Sequence, residues 1–234
     1  MIGWSRRFIP ASVVLFVLST PIAQGTKPAS AFKDDFGIEA CTMQTTGRNS
    51  YIVLEPGFQL LLEGGGTKLQ ITVLDQTRTI DGVVTRVVEE KEWKDGKMHE
   101  VTMSYLAMCK QTKDVFYFGE DVDNYRDGKV ISHEGTWHAG TNGSKVGMFV
   151  PGSPKLHMKY YREIVPGVSM ARAEIVSLNE ACKTPAGNFS KCMKVRETSA
   201  IDRNVDEYKY YAPGIGLVSE ENLRLIKYGF IKDK

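Results

Sequence analysis

His133 and His138, with Glu134 beside the first, come nearest in this chain to a metal-hydrolase signature. A zincin helix sets its two histidines four residues apart, so that both face one side. Here they are five apart with Gly135 and Thr136 between them, and on a strand such positions face opposite ways. The pattern reads as a polar strand end beside Trp137. Asp121, Asp123, Asn124 and Asp127 precede Gly128 and offer oxygen ligands of the kind calcium takes. An EF-hand loop needs oxygens at positions 1, 3 and 5, glycine at 6 and a bidentate glutamate at 12. Counted from Asp121, the third acid falls at 7 and the glycine at 8, with no glutamate at 12. Acids at turns ordinarily cap backbone. Gly64-Gly65-Gly66 runs into Thr67-Lys68-Leu69, a strand opening where a phosphate loop would need Lys-Ser/Thr and a helix. No Gly-x-Ser-x-Gly occurs, and the histidines are only His99, His133, His138 and His157. No catalytic residue, metal ligand or cofactor is therefore assigned.

The remaining chemistry-bearing side chains are aromatic and sulfur-containing. Tyr105, Tyr117, Trp137, Met148, Tyr160 and Tyr210 are the candidate ligand-binding residues, the lining of an apolar cavity inside a half-closed sheet. Met103 and Met158 suit the same wall, because methionine adapts to varied guests. Aromatics in β-domains more often fill a core. Convergence of Tyr117, Trp137, Met148, Tyr160 and Tyr210 on an open pocket separates a carrier from a solid structural domain.

The elements that position these residues read as strands. Val115–Phe118 is apolar on both faces, so it is expected to be covered on both and to lie at the centre of the fold. Asp81-Gly82, Asp95-Gly96 and Asp127-Gly128 each sit between strand-like runs and predict type I′ hairpin turns. Centring a hairpin on Asp95-Gly96 sets Trp93 opposite Met98, Val88 opposite Met103 and Arg86 opposite Tyr105. Further strands are expected around the turns Pro56-Gly57, Pro166-Gly167, Pro185–Gly187 and Pro213–Gly216, with no long 3.6-period segment after the N-terminus. The fold expectation is all-β: a single domain made of a strongly curved antiparallel sheet or partly open barrel.

Arg6 and Arg7 followed by the apolar Val13–Leu18 and by Ala23-Gln24-Gly25 read as a secretory signal peptide over residues 1–25, with Ala29–Ala31 a second cleavage site. An irregular arm over 26–50 and the β-domain over 51–234 follow. The apolar run is shorter than a spanning helix, so no permanent membrane anchor is expected. Without Arg6 and Arg7 the chain balances 28 basic against 28 acidic residues, and nothing marks it for nucleic acid. Four cysteines in an exported chain imply disulfides. A three-residue turn at Pro185–Gly187 puts Cys182 and Cys192 on a diagonal about 7–8 Å apart, too far to bridge unless the loop is wider. The preferred pairs are therefore Cys109–Cys192 and Cys41–Cys182.

Three motifs occur together: Val115–Asp123 (VFYFGEDVD) running on to His133–Trp137 (HEGTW), Pro185–Cys192 (PAGNFSKC) and Tyr210–Val218 (YYAPGIGLV). Over residues 51–218 the chain resembles a family of exported bacterial β-rich proteins, mostly of unassigned function. The Pro-Ala-Gly hairpin and the Tyr-Tyr-Ala-Pro-Gly-Ile-Gly corner are also similar to parts of the half-barrel lipoprotein carriers. The resemblance implies an exported β-domain and carries no catalytic residues. The expected function is a soluble carrier or binding module for an apolar or amphipathic molecule or lipid, in the periplasm or secreted. A structural or interaction protein of the envelope with a filled core comes second. A hydrolase or metal-binding protein comes third.

Overall fold

A computed structural model describes residues 31–231. The leader expected over residues 1–25 and the cleavage sites at Gly25 and Ala29–Ala31 thus lie outside, or at the edge of, the described residues. After one 3-10 turn (Ile38–Ala40) come seventeen strands. The arm holds β1 (Met43–Gln44), β2 (Gly47–Asn49) and β3 (Ile52–Leu54). A first meander runs β4 (Phe58–Gly64), β5 (Thr67–Ile80), β6 (Val83–Lys94), β7 (Lys97–Cys109) and β8 (Val115–Arg126). Short pieces follow: β9 (Lys129–Ser132), β10 (Trp137–His138), β11 (Gly147–Val150) and β12 (Lys159–Tyr161). A second meander runs β13 (Ala171–Thr184), β14 (Gly187–Ser199), β15 (Asp206–Ala212), β16 (Gly216–Glu220) and β17 (Leu223–Phe230).

Fifteen of these strands make one antiparallel sheet, not closed into a barrel: twelve in the order β10-β8-β7-β6-β5-β4-β17-β16-β15-β14-β13-β12, with β1 paired to β7 and β9 and β11 paired to β8. Within each meander neighbours in sequence are neighbours in space, and the two meanders join at a seam where β4 pairs with β17 (Leu60 opposite Tyr228). The all-β, single-domain reading therefore holds. The aromatic strand does not lie at the centre of the sheet. Val115, Phe116, Tyr117 and Phe118 are all buried, yet β8 is next to one end, covered at its outer edge by β10 and β11.

The three Asp-Gly pairs turn as their chemistry requires, with φ of 46° and 75°, 49° and 77°, and 50° and 75°. Both central residues of each turn are thus left-handed, as in type I′. The register beyond the second turn differs from expectation. Trp93 faces Met98, but Glu92 faces Glu100, so one extra residue, His99, bulges from β7. Every later pair is displaced by one: Val88 faces Ser104 and Val87 faces Tyr105. The Pro185-Ala186 turn is tighter than expected, with Thr184 opposite Gly187.

Bulges bend this sheet, as extra residues on one strand generally do. The largest separates Val73↔Val88 from Thr77↔Arg86. Buried Arg86 satisfies the carbonyls it frees, donating to Leu74 O at 3.1 Å and Gln76 O at 3.4 Å, and also to Thr45 O at 3.0 Å in the arm. A second bulge lies at Gly119 on β8, between the pairs Ser104↔Glu120 and Leu106↔Tyr117. Gly119 has φ 135°, and a Cβ there would lie 2.3 Å from Trp137 O. The bulge resets the strand's alternation: Tyr117 and Glu120, three apart, share the concave face, and Asp121 turns to the other.

The arm is anchored rather than free. Cys41 and Cys109 are disulfide-bonded with Cα atoms 5.2 Å apart. This corrects both expected pairings, and Cys182 and Cys192 are buried thiols. The expectation failed because β1 runs antiparallel to the end of β7, Met43 opposite Cys109, a long-range pairing that no local pattern announces.

Gly119→Ala is expected to destabilise the protein by about 2 kcal/mol or more, because the backbone conformation and the space both exclude a side chain. Gly128→Ala, where a Cβ meets nothing and only the left-handed backbone opposes it, should cost less, about 1–2 kcal/mol. Urea unfolding of the two variants, with unchanged m-values, checks the difference.

Candidate functional site

The concave face of the sheet and the arm enclose a cavity of about 250 Å³. Its apolar wall comes mainly from the arm and the first meander. Leu54 of β3, Phe58 and Leu60 of β4, and Ile71 and Val73 of β5 line it, with Ile215 and Leu217 from the second meander. Strand alternation makes this wall, since residues two apart share a face. Ser50 and Tyr51 fasten the arm across the opening: Gly214 N donates to Ser50 O at 2.8 Å, and Tyr51 OH donates to Lys191 O at 3.1 Å.

The opposite wall is ionisable. Glu90, Glu100, Glu120, Glu163, Glu197 and Glu220 line the cavity with Arg162 and Lys209, six carboxyl groups against two cations. Arg162 is ion-paired with Glu197, and Lys209 bridges Glu197 at 3.3 Å and Glu220 at 3.2 Å. Burial opposes charge on Glu197, but Arg162 and Lys209 more than offset it and hold its carboxyl below the usual range. No such partner meets the carboxyl of Glu120. Burial first, then the neighbouring Glu163, pushes it up to about 8, against the hydrogen bond it accepts from Tyr117 OH; Glu90 and Glu100 push the same way. Burial likewise raises Glu90, whose carboxylate accepts a 3.4 Å hydrogen bond from Ser104 Oγ.

Arg162 and Glu163 reach the cavity because Gly147 lets their backbone pass. A Cβ at Gly147 would sit 1.8 Å from Arg162 O. The Arg162 guanidinium lies over Phe149, 4.6 Å from the ring centroid, and its Nε has no acceptor among the described residues.

Of the six expected ligand-binding residues, only Tyr117 lines this cavity. Trp137 stands behind it, edge-on to its ring at 5.3 Å. Tyr105 belongs to a cluster on the other face, where its OH donates to Asp121 at 2.6 Å. Met148 pairs with Phe116 in the core, and Tyr160 is fully enclosed opposite Ala173. Tyr210 carries Lys194 over its ring, 5.4 Å from the centroid, while its neighbour Tyr211 takes the place at the cavity. Tyr117, Trp137, Met148, Tyr160 and Tyr210 thus do not converge on one pocket.

The acids weighed for metal are otherwise engaged. Asp121 accepts from His138 Nε2 at 2.8 Å and pairs with Arg78; Asp123 meets His133 at 2.8 Å. Among the described residues no group of three or more His, Cys, Asp or Glu side chains is arranged to hold a metal ion.

The residues that make the polar wall were missed because Glu89–Glu92 and Glu197 look like ordinary solvated strand charges. A signal existed: Glu90 repeats at period 2 from Val88, on the strand's apolar face.

No family model matches the sequence, and neither does any curated protein. Two solved structures are similar in fold search. One, described as a "putative lipoprotein" from Parabacteroides distasonis, has 13% identity over 78% of this chain and 100% of that one, with a TM-score of 0.39. The other, a hypothetical protein from Chlamydia trachomatis, has 12% identity over 75% and 88%, with a TM-score of 0.24. At these scores the likeness carries nothing about what this chain binds or does.

Two outcomes follow from the polar wall. Glu197→Ala leaves Arg162 buried without its counter-ion and is expected to cost about 3–5 kcal/mol of stability, read from chemical unfolding. Glu120 binds its proton more tightly folded than unfolded, so the folded state holds more protons between pH 4.5 and about 8. Stability should therefore fall as pH rises through that window, and Glu120→Gln should flatten the fall in melting temperature.

Proposed function

We propose that the protein is a binding module for a small amphipathic molecule that carries a positive charge. The observation that supports it is the two-walled cavity: aliphatic and aromatic side chains on one side, and on the other six carboxyl groups with only two cations among them. An apolar body gains by leaving water against the first wall. A cationic head relieves the mutual repulsion of Glu90, Glu120 and Glu163 at the second. At about 250 Å³ the space is at the small end for ligand sites, so it suits a short-chain guest or one end of a longer one. The Cys41–Cys109 bond fits an oxidising compartment, in keeping with a carrier that works outside the cytoplasm.

Calorimetric titration with three eight-carbon probes tests this: octyltrimethylammonium, octyl glucoside and octanoate. The cation is expected to bind tightest and octanoate weakest. Glu163→Gln should weaken the cation by roughly tenfold, about 1.4 kcal/mol, and leave the glucoside unchanged. Because the probe's charge disfavours protonated Glu120, its affinity should rise with pH towards about 8 and its binding should release protons. Failure of all three probes to bind or to raise the melting temperature would remove the binding-module reading. Equal binding of all three would remove only the charge preference.

A further inference from the structure

Cys182 and Cys192 stand on adjacent strands, β13 and β14, and both are buried, with 6% and 0% of their surface exposed. Continued unbroken from Thr184 opposite Gly187, the ladder would set Cys192 opposite Asn179, three residues along from Cys182 and on the other face of the strand. The ladder here is broken. Glu180 faces Cys192, but Cys182 faces Phe189, so β14 carries one extra residue between the two pairs. Lys191, at φ 57°, marks the bulge. It folds Cys192 back along its strand, until Sγ lies 3.9 Å from the carbonyl oxygen of Phe189, the residue directly across from Cys182. The two thiols are near enough for each to shift the other's ionisation.

We propose that Cys182 and Cys192 are joined in a second disulfide, a cross-link of the β13–β14 hairpin installed by thiol–disulfide exchange. The oxidant is a disulfide of the class carried by thiol oxidoreductases or oxidised glutathione. One cysteine thiolate attacks a sulfur of that disulfide, forms a mixed disulfide and expels the other sulfur as a thiolate. The second cysteine then attacks the mixed disulfide at the first cysteine's sulfur, closes the Cys182–Cys192 bond and expels the remaining thiolate. The protein loses two electrons and two protons, and the oxidant leaves as two thiols.

The surroundings set when this happens. Burial, then the contact with Cys192, pushes the Cys182 thiol up to about 12, and burial raises Cys192 as well. Little thiolate therefore exists once the hairpin is packed, and exchange needs thiolate. The bond belongs to the period before the sheet closes over the hairpin. It bears on the cavity too, because the bulge carbonyl of Lys191 is the acceptor for Tyr51 OH at the cavity wall.

The full chain, refolded from the reduced and denatured state with a mixture of reduced and oxidised glutathione, is alkylated and digested with trypsin without reduction. Cleavage after Arg172, Lys183, Lys191 and Lys194 isolates the two cysteines on peptides 173–183 and 192–194. The expected result is that these two peptides are recovered linked, as are those bearing Cys41 and Cys109. Recovery of Cys182 and Cys192 as alkylated thiols while Cys41–Cys109 is bridged would overturn the proposal. So would a bridge from either cysteine to Cys41 or Cys109. A second measurement fixes the timing: the native reduced protein, exposed to the same mixture, should close this bond at least tenfold more slowly than the unfolded chain. Equal rates would refute protection by burial.

Discussion

The chain of charges from Arg162 through Glu197 and Lys209 to Glu220 is the interaction on which the interior depends. Four ionised groups held away from water are tolerable only because each meets an opposite charge, since an isolated one costs several kcal/mol after relaxation. The chain links three strands of the second meander, β14, β15 and β16, to the segment after β12. It thereby holds open a space that apolar side chains would otherwise fill. What it does not neutralise is the opposite group, Glu90, Glu120 and Glu163, and that imbalance gives the cavity its sign.

Geometry around the cavity comes from breaks in regular pairing rather than from the strands themselves. A flat ladder would send Tyr117 and Glu120 to opposite faces. The bulge at Gly119 puts them together and frees Asp121 for Tyr105 and His138 outside. Arg86 fills the gap left by the jump between Val73 and Thr77 and fastens the arm through Thr45. Gly147 clears the path for Arg162 and Glu163. Bulges near binding sites commonly re-aim a side chain in this way.

Much of the fold was legible in the residues. The Asp-Gly turns, the alternating runs and the absence of helical period were local signals, and local signals are what a sequence displays. The register of β6 against β7 was legible only up to Trp93, because the bulge at His99 answers to the curvature of the whole sheet. The same holds for sulfur. Cys41 and Cys109 meet through β1 and β7, and nothing near either residue announces the pairing. The site was least legible. Aromatic side chains were the natural candidates, yet most of them went to the core. The wall is made by glutamates whose neighbours in sequence are other charges, and burial of a charge is decided by partners on other elements, as Glu197 is by Arg162 after β12 and Lys209 on β15.

The seam between β4 and β17 has a consequence for how the protein is made. Each meander is a run of hairpins and closes locally, which favours fast formation. Their union joins the first long strand to the last. Until β17 has emerged, β4 presents a row of unpaired backbone groups along Leu60 and Leu62, the kind of edge that recruits other chains. The ionisable wall is also incomplete until then, with Glu90 and Glu120 in the first meander and the Arg162–Glu197–Lys209–Glu220 chain in the later half. A chain delivered from its N-terminus thus passes through a state with an open sheet edge and half a cavity. That edge stays open until the last strand has been made.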